Sequence, residues 1–369
     1  MRYYIISGER SGDMHAANLI KAIHKSDPAA QFRGMAGDYC QAAGMDLTTH
    51  YEEVAMMGFL EVVFGFRKVI KNLRLLQRDL LAFNPDVLIL VDFGGFNMKM
   101  AAFAKKKGIP VHYYIPPKVW AWNQSRVYKI RAFTDKVYCI LPFEEPFFKK
   151  FSIDATYVGN PLMDEIQNFQ PHPFFHQKNE LSYKPIIALL PGSRKQEVEN
   201  MLLVMLDVVA MFPNAQFVVA GVSNIDQELY KPAEQKGIKV VFNQTYDLLH
   251  HAIAAVVTSG TATLETALFR VPQVVVYKTS YLSYLIGKRL VKIKYISLVN
   301  LIADREVVKE LIQDAFNAKS IIFELNQLLG SIPHKAKVLD GYTEVKRKIG
   351  DQSASLSVSK ILLDCIDKK

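Results

Sequence analysis

Residues 254–277 read AAVVTSGTATLETALFRVPQVVVY. An apolar run closes at Thr258, small and hydroxylated residues follow, a helix-like segment comes next, and a second β-rich run begins at Gln273. Strand, helix and strand in this order make a unit of a parallel α/β sheet. The pattern recurs on both sides. Strand-like runs stand at YYIIS, FRGMA, VLILV, VHYYI and VYCIL in the first half, and at IIALL, QFVVA, KVVF, AAVVT and QVVVY in the second. Nearly all are apolar throughout, as parallel strands buried on both faces require. The fold class is therefore α/β, with two doubly wound Rossmann-like domains. A polar stretch, 164–185, contains three prolines and lacks periodicity, so it reads as the linker. This divides the chain into an N-terminal domain, 1–165, and a C-terminal domain, 186–345. A last helix, 346–369, is expected to pack back on the N-terminal domain. In such a pair the ligand is expected in a central cleft, at the carboxyl ends of the strands.

The chain has 369 residues and a formal net charge of +9, half its residues being hydrophobic. That excludes a disordered chain and points to an anionic partner: nucleic acid, a phosphorylated substrate or an anionic membrane. The three cysteines, Cys40, Cys139 and Cys365, are far apart and show no metal-ligand spacing, so a reducing compartment is expected. The N-terminus runs straight into a strand without the pattern of a signal peptide, and no apolar stretch has the length of a membrane span. A cytosolic protein, free or attached to a membrane from the cytosolic side, is the expectation.

Five strand-end loops carry polar or glycine-rich chemistry. SGERSGD, residues 7–13, fits neither G-x-G-x-x-G nor the P-loop pattern. Its glycines allow close backbone approach, while Glu9, Ser11 and Asp13 suit either helix capping or ligand contact. VDFGGFN, residues 91–97, ends a buried strand in Asp92, which suits a general base or a turn-organising carboxylate. Residues 113–130 hold both tryptophans; Trp120 and Trp122 suit a floor for a sugar ring or acyl chain, or plain packing. LLPGSRKQE, residues 189–197, sets Arg194 after a Pro-Gly turn, a placement suited to phosphate oxygens. The fifth is Ser259, Gly260, Thr261 and their neighbours at a helix start, where free N–H groups and the helix dipole favour an anion.

Glu265 lies just inside that helix. A capping box would need Ser or Thr three residues earlier, where Ala262 stands. A carboxylate beside a diphosphate repels it, but one beside the ribose of the same nucleotide accepts hydrogen bonds from both hydroxyls. Glu265 thus reads as a ribose clamp.

In order along the chain stand GExSGD (Gly8–Asp13), VDxxxFN (Val91–Asn97), PxVWAW (Pro117–Trp122), LPFE (Leu141–Glu144), LLPGSRxxE (Leu189–Glu197), SGTATLE (Ser259–Glu265) and SLxNL (Ser297–Leu301). Together they resemble the lipid-A-disaccharide synthase family, a set of GT-B glycosyltransferases. The resemblance implies an inverting hexosyltransferase of lipid A and lipopolysaccharide biosynthesis. It joins UDP-2,3-diacylglucosamine to 2,3-diacylglucosamine 1-phosphate (lipid X), giving a β-1,6 disaccharide 1-phosphate and UDP, with no metal or other cofactor. The N-terminal domain would face acceptor and membrane, and the C-terminal domain would bind the UDP-sugar. Carried over by motif, Glu9, Ser11 and Asp13 lie in the catalytic cleft, and Asp92 matches the proposed base. Arg194, Glu265 and Asn300 match donor-site positions. Two positions depart from many members: Gly95 replaces a second Asp, and Asn160 replaces a His.

Acylated substrates require access to a bilayer. In residues 59–81, Val62, Phe66, Val69, Leu73, Leu76 and Leu80 form one helical stripe, and Arg67, Lys71, Arg74 and Arg78 another. Phe64, Ile70, Leu75 and Leu81 flank the basic stripe, as on an interfacial helix against anionic lipid. A second basic segment, 287–295, suits phosphate or a lipid headgroup. Peripheral attachment to the cytosolic face of the inner membrane follows, with no nucleic-acid partner. A homodimer is compatible with the sequence, which does not set the oligomeric state. The rival reading is a UDP-sugar 2-epimerase of the same architecture.

Overall fold

The computed structural model describes residues 1–55, 62–122, 124–281, 284 and 293–366. They form two compact units. The first comprises Met1–Asp164 with Asp351–Lys369, and the second Glu165–Gly350.

The first unit is built on a seven-stranded sheet: β1 (Arg2–Ser7), β2 (Gln31–Ala36), β3 (Asp46–His50), β4 (Val87–Val91), β5 (Val111–Tyr114), β6 (Lys136–Cys139) and β7 (Ala155–Tyr157). The order is β3-β2-β1-β4-β5-β6-β7, every pair being parallel. The period-2 alternation of a strand sends β1 to two cores at once. Tyr3 and Ile5 join a cluster with Ala16, Ile20, Val87 and Ile89, while Tyr4 and Ile6 join one with Leu76, Leu80, Leu88 and Leu90. Both faces are therefore dry, which is why the runs are apolar at every position rather than at alternate ones. The helix Ala354–Ile366 puts Ala354, Val358 and Leu362 into the first cluster, against the helix Arg10–Ser26.

The second unit carries six parallel strands: β8 (Ile186–Leu190), β9 (Gln216–Gly221), β10 (Lys239–Phe242), β11 (Ala252–Thr258), β12 (Gln273–Tyr277) and β13 (Lys309–Ile312). Their order is β10-β9-β8-β11-β12-β13. The polar stretch 165–185 contributes Phe175 and Leu181 to this unit's core, beside Ile186, Leu248 and Leu249.

β3, β7 and β13, absent from the sequence reading, all stand at sheet edges. An edge strand needs no continuous apolar run, and β13, with one buried residue of four, shows it. Strand order reverses between β1 and β4 in the first sheet and between β8 and β11 in the second. At such a reversal the flanking connections leave in opposite directions, opening a crevice at the carboxyl ends of the strands.

Candidate active site

All four strands at the two reversals end in loops singled out by the sequence. β1 runs into Gly8–Asp13, β4 into Asp92–Asn97, β8 into Gly192–Glu197 and β11 into Ser259–Glu265. Register holds each pair level: Ser7 lies beside Val91, and Leu190 beside Val257.

In the first unit, Asp92 (φ 49°) and Phe93 (φ 50°) are consecutive left-handed residues with side chains, a conformation rarely adopted outside glycine. The Phe93 ring occupies the space of a side chain at Gly8, where a Cβ would lie 2.1 Å from the ring. A Cβ on Gly12 would sit 3.4 Å from that of Ser7 and 3.9 Å from that of Asp92, so the two loops pack face to face. Ser7 is fully buried, and its hydroxyl has no hydrogen-bond partner among the described residues. Asp92 is half-buried, while Glu9 and Ser11 are exposed at the start of the helix Arg10–Ser26, which Glu9 precedes without a side-chain cap.

Asp13 does something else. Its carboxylate is buried and accepts from the backbone N–H groups of Gly37 (2.9 Å), Tyr39 (3.0 Å) and Cys40 (3.1 Å). This caps the short helix Asp38–Ala42, so the carboxylate has a structural role. Asn160 is likewise spent, donating to Ile140 O (3.0 Å) and accepting from Leu162 N–H (3.1 Å). Gly95 is exposed, and a Cβ there would meet nothing within 4 Å.

The tryptophans separate. Trp120 is buried; its Nε1–H donates to Glu144 Oε1 at 2.9 Å, and its ring meets Phe143 edge-on at 4.8 Å. Glu144 also accepts from the N–H groups of Ile140 and Leu141, and burial raises its pKa against the pull of these donors. Trp120 is therefore packed into the fold through Glu144 and Phe143. Trp122 is 45% exposed, with the Arg126 guanidinium 4.6 Å above its ring, a cation–π arrangement.

The helix Val62–Phe83 faces the core with Leu76 and Leu80, and Val69 and Leu73 pack beside them. Asp79 pins it to the sheet through Arg33 (2.9 Å), the Tyr4 hydroxyl (2.8 Å) and Thr48. Leu75 and Leu81, each 44% exposed, stand out beside exposed Lys71, Arg74 and Arg78. The Phe64 and Arg67 side chains, and most of 287–295, lie outside the described residues.

In the second unit, Gly192 (φ 116°) leaves no room for a side chain: a Cβ would lie 2.5 Å from Glu197. Glu197 accepts from the N–H groups of Ser193 (2.9 Å) and Arg194 (3.2 Å), fixing the turn. The Arg194 side chain, 79% exposed, reaches Glu197 only at 3.5 Å. At the end of β11, Gly260 is exposed, and a Cβ there would meet nothing within 4 Å. No side chain caps the helix Thr261–Leu268, and Thr261 is exposed at its first position. Ser259 donates its hydroxyl to Ile296 O at 2.8 Å.

Asn300 is spent inside the fold. It is fully buried, donates to Val308 O (2.9 Å) and Glu310 (2.8 Å), and accepts from Val307 (2.7 Å) and Val308 (3.0 Å) N–H. All four hydrogen-bonding positions of the amide are filled. Glu310 in turn accepts from Ile296 and Ser297 N–H, so Asn300 acts on the site through the segment that receives Ser259.

Glu265 lies one turn beyond the helix start and accepts from the Tyr246 hydroxyl at 3.2 Å. The same hydroxyl lies 3.2 Å from Glu165. Tyr246 sits among Phe169 and Phe269, 5.6 and 5.1 Å away between ring centroids. Burial, with the nearby Glu165 charge, pushes the Glu265 pKa up to about 7. Neither Tyr246 nor Glu165 carries a motif. Glu165 stood in the stretch read as linker, and only folding brings it to Glu265.

The family model described as lipid-A-disaccharide synthetase matches residues 3–361. The chain is 37% identical to the lipid-A-disaccharide synthase of Syntrophus aciditrophicus (strain SB), over 99% of this chain and 97% of that one. It is 35% identical to that of Geobacter metallireducens, over 100% and 98%. Among solved structures, the UDP-GlcNAc 2-epimerase of Neisseria meningitidis bound to UDP-GlcNAc is similar in fold at a TM-score of 0.69, with 14% identity and full coverage of both chains. The glycotransferase of kitacinnamycin gives 0.67 at 10% identity, covering 99% of each chain.

Proposed function

The chain belongs to the lipid-A-disaccharide synthase family, and on that premise we propose how its two units divide the reaction. The activity is the glycosyl transfer of lipid A disaccharide synthesis, and the enzyme is a hexosyltransferase of GT-B fold. The donor is UDP-2,3-diacylglucosamine and the acceptor 2,3-diacylglucosamine 1-phosphate. Asp92 takes the proton of the acceptor 6-hydroxyl as its oxygen attacks the anomeric carbon of the donor, opposite the diphosphate. The bond from that carbon to the diphosphate oxygen breaks, UDP leaves, and the new linkage is β-1,6 with inversion. Charge that develops on the diphosphate meets the uncapped N–H groups at Gly260 and Thr261 and the exposed fork of Arg194. Glu265 holds the ribose hydroxyls. Glu9 and Ser11 line the loop beside Asp92, and Trp122 with Arg126 offers a face to a sugar or a phosphate.

The observation that carries this reading is that the chemistry-bearing loops of both units sit at the reversals of strand order. Acylated substrates call for a membrane surface, and no helix among the described residues is long and apolar enough to span one. Leu75 and Leu81 among basic side chains support contact with anionic lipid on the cytosolic face of the inner membrane.

The test is to incubate the protein with UDP-2,3-diacylglucosamine, with and without acceptor, and to measure UDP. Release only with acceptor is expected. Release without it would favour an epimerase or hydrolase, the reading that the epimerase-like fold keeps in view.

A further inference from the structure

The peptide plane between Asp92 and Phe93 is held more tightly than the turn requires. In the preceding plane the Asp92 N–H donates to Tyr114 O at 3.2 Å. The Asp92 carbonyl accepts from Asn97 Nδ2 at 2.7 Å and from the Tyr113 hydroxyl at 2.8 Å. A carbonyl oxygen has two lone pairs, and both are engaged. Asn97 and Tyr113 are fully buried, one on the helix Gly94–Lys106 and the other on β5. The second Asn97 N–H bond, 3.3 Å to Val91 O, ties the same amide to the end of β4.

Rotation of this plane would leave two buried donors without acceptors, a larger penalty than the loss of an exposed hydrogen bond. The plane sets ψ of Asp92 and φ of Phe93, the torsions that hold the left-handed pair. Phe93 is clamped from the other side by its ring over Gly8. The direction of the Asp92 side chain is thus fixed by residues that never reach its carboxylate. Tyrosine at 113 has a specific purpose in this frame. Its ring fills the core between the strands, as phenylalanine would, and its hydroxyl is spent on the Asp92 carbonyl.

We propose that Tyr113 and Asn97 are the positioning residues of Asp92: they lock its left-handed turn through its carbonyl and so aim its carboxylate at the acceptor hydroxyl. The inference rests on the reading of Asp92 as the base. Misplacing a catalytic group by about 1 Å costs on the order of a hundredfold in rate, so a loosened turn should appear in kcat and not in substrate binding.

The experiment measures kcat, the KM for both substrates and the thermal midpoint for Tyr113→Phe, Asn97→Asp and, in parallel, Asp92→Asn. Tyr113→Phe keeps the ring and should lower kcat about tenfold, with each KM within about twofold of wild type and the midpoint little changed. Asn97→Asp keeps the shape but replaces the donor with an acceptor facing two carbonyls, and should lower kcat about a hundredfold. If Asn97→Asp does not fold, Tyr113→Phe decides alone. Wild-type kcat in Tyr113→Phe beside an inactive Asp92→Asn overturns the positioning role and leaves the base reading standing. A fall in kcat matched by a rise in KM, or by a large drop in midpoint, also overturns it, since that is what a merely structural hydroxyl would give. Near-normal turnover in Asp92→Asn removes the base reading and the positioning role with it.

Discussion

At the end of β4 two residues with side chains are held in left-handed backbone, with a phenylalanine ring filling the space where a Cβ on Gly8 would lie. At the end of β11 the corresponding turn is bare: Gly260 faces open space, and the following helix has no side-chain cap. The two reversals use the same strand geometry for opposite ends. On the proposed reading, a base must be aimed before its substrate arrives, so the strain of its loop is offset by packing. An anion site works by leaving N–H groups unmet, because the anion itself supplies the acceptors. On the proposed reading, tight packing belongs to the loop of the base and the open helix end to the loop of the anion.

The strongest way to break this contrast is Asp92→Asn. Turnover should fall about a hundredfold or more, while UDP affinity, which the proposal assigns to the other reversal, stays unchanged. Equal losses in both would mean that the two loops do not divide the work.

Glu265→Gln should do the reverse, weakening UDP about ten- to hundredfold by calorimetric titration and leaving acceptor affinity unmoved, since hydrogen bonds to a charged group are worth about 1.5–3 kcal/mol. Unchanged UDP binding would show that Glu265 does not hold the ribose.

The packing contrast is tested with two alanines. Gly8→Ala must displace the Phe93 ring and should cost about 1–3 kcal/mol in urea unfolding. Gly260→Ala enters open space on an extended backbone, φ 163°, and should shift stability by less than about 0.5 kcal/mol. Similar costs at both sites would erase the distinction.

A smaller effect separates the reversals by pH. The Glu265 carboxyl, raised from 4.5 to about 7, holds its proton below that value and is ionised, the form the proposed ribose clamp needs, above it. UDP affinity should therefore rise with pH, by about fivefold from pH 6 to pH 7 relative to Glu265→Gln. The sign for stability is opposite: a raised carboxyl pKa favours the folded protein at low pH, so the unliganded protein should lose stability between about pH 4.5 and 7 relative to the same variant. A wild-type affinity profile parallel to that of the variant would remove Glu265 as the titrating group.

The smallest expected effect is at the surface. Leu75→Ser with Leu81→Ser should weaken binding to anionic liposomes by about three- to tenfold without lowering the melting temperature, both side chains being half exposed. A large drop in melting temperature would assign them to the core.

Much of this was legible in the chain. Ten strands announced themselves because strands covered on both faces must be apolar at every position. The loops that follow them were legible because glycine, small hydroxylated residues and a lone carboxylate are rare at a buried strand end. The edge strands β3, β7 and β13 escaped, since half of each is free of the core and no periodic constraint acts on it. Among the site residues, the sequence placed Asp92, Arg194, Gly260 and Glu265 at strand ends but could not tell a polar group that faces a ligand from one consumed inside the fold. Asp13 and Asn300 stand in motifs of the same set, yet Asp13 is engaged by three backbone N–H groups and Asn300 by backbone partners and Glu310. Trp120 and Trp122 are two residues apart, yet one is locked on Glu144 and the other is open.

The sequence by itself therefore determined the class of fold, the position of the reactive loops and the family, because these follow from local hydrophobic pattern and from motifs that are contiguous in the chain. Only the tertiary structure decided which of those polar groups are available and what holds them. Tyr246 and Glu165 reach Glu265 across 19 and 100 positions of chain, and Tyr113 reaches the Asp92 carbonyl across 21. Hydrogen-bonding capacity is finite and is shared among neighbours in space, so the remaining capacity of a side chain is a property of the folded contacts and not of the residues beside it in the sequence.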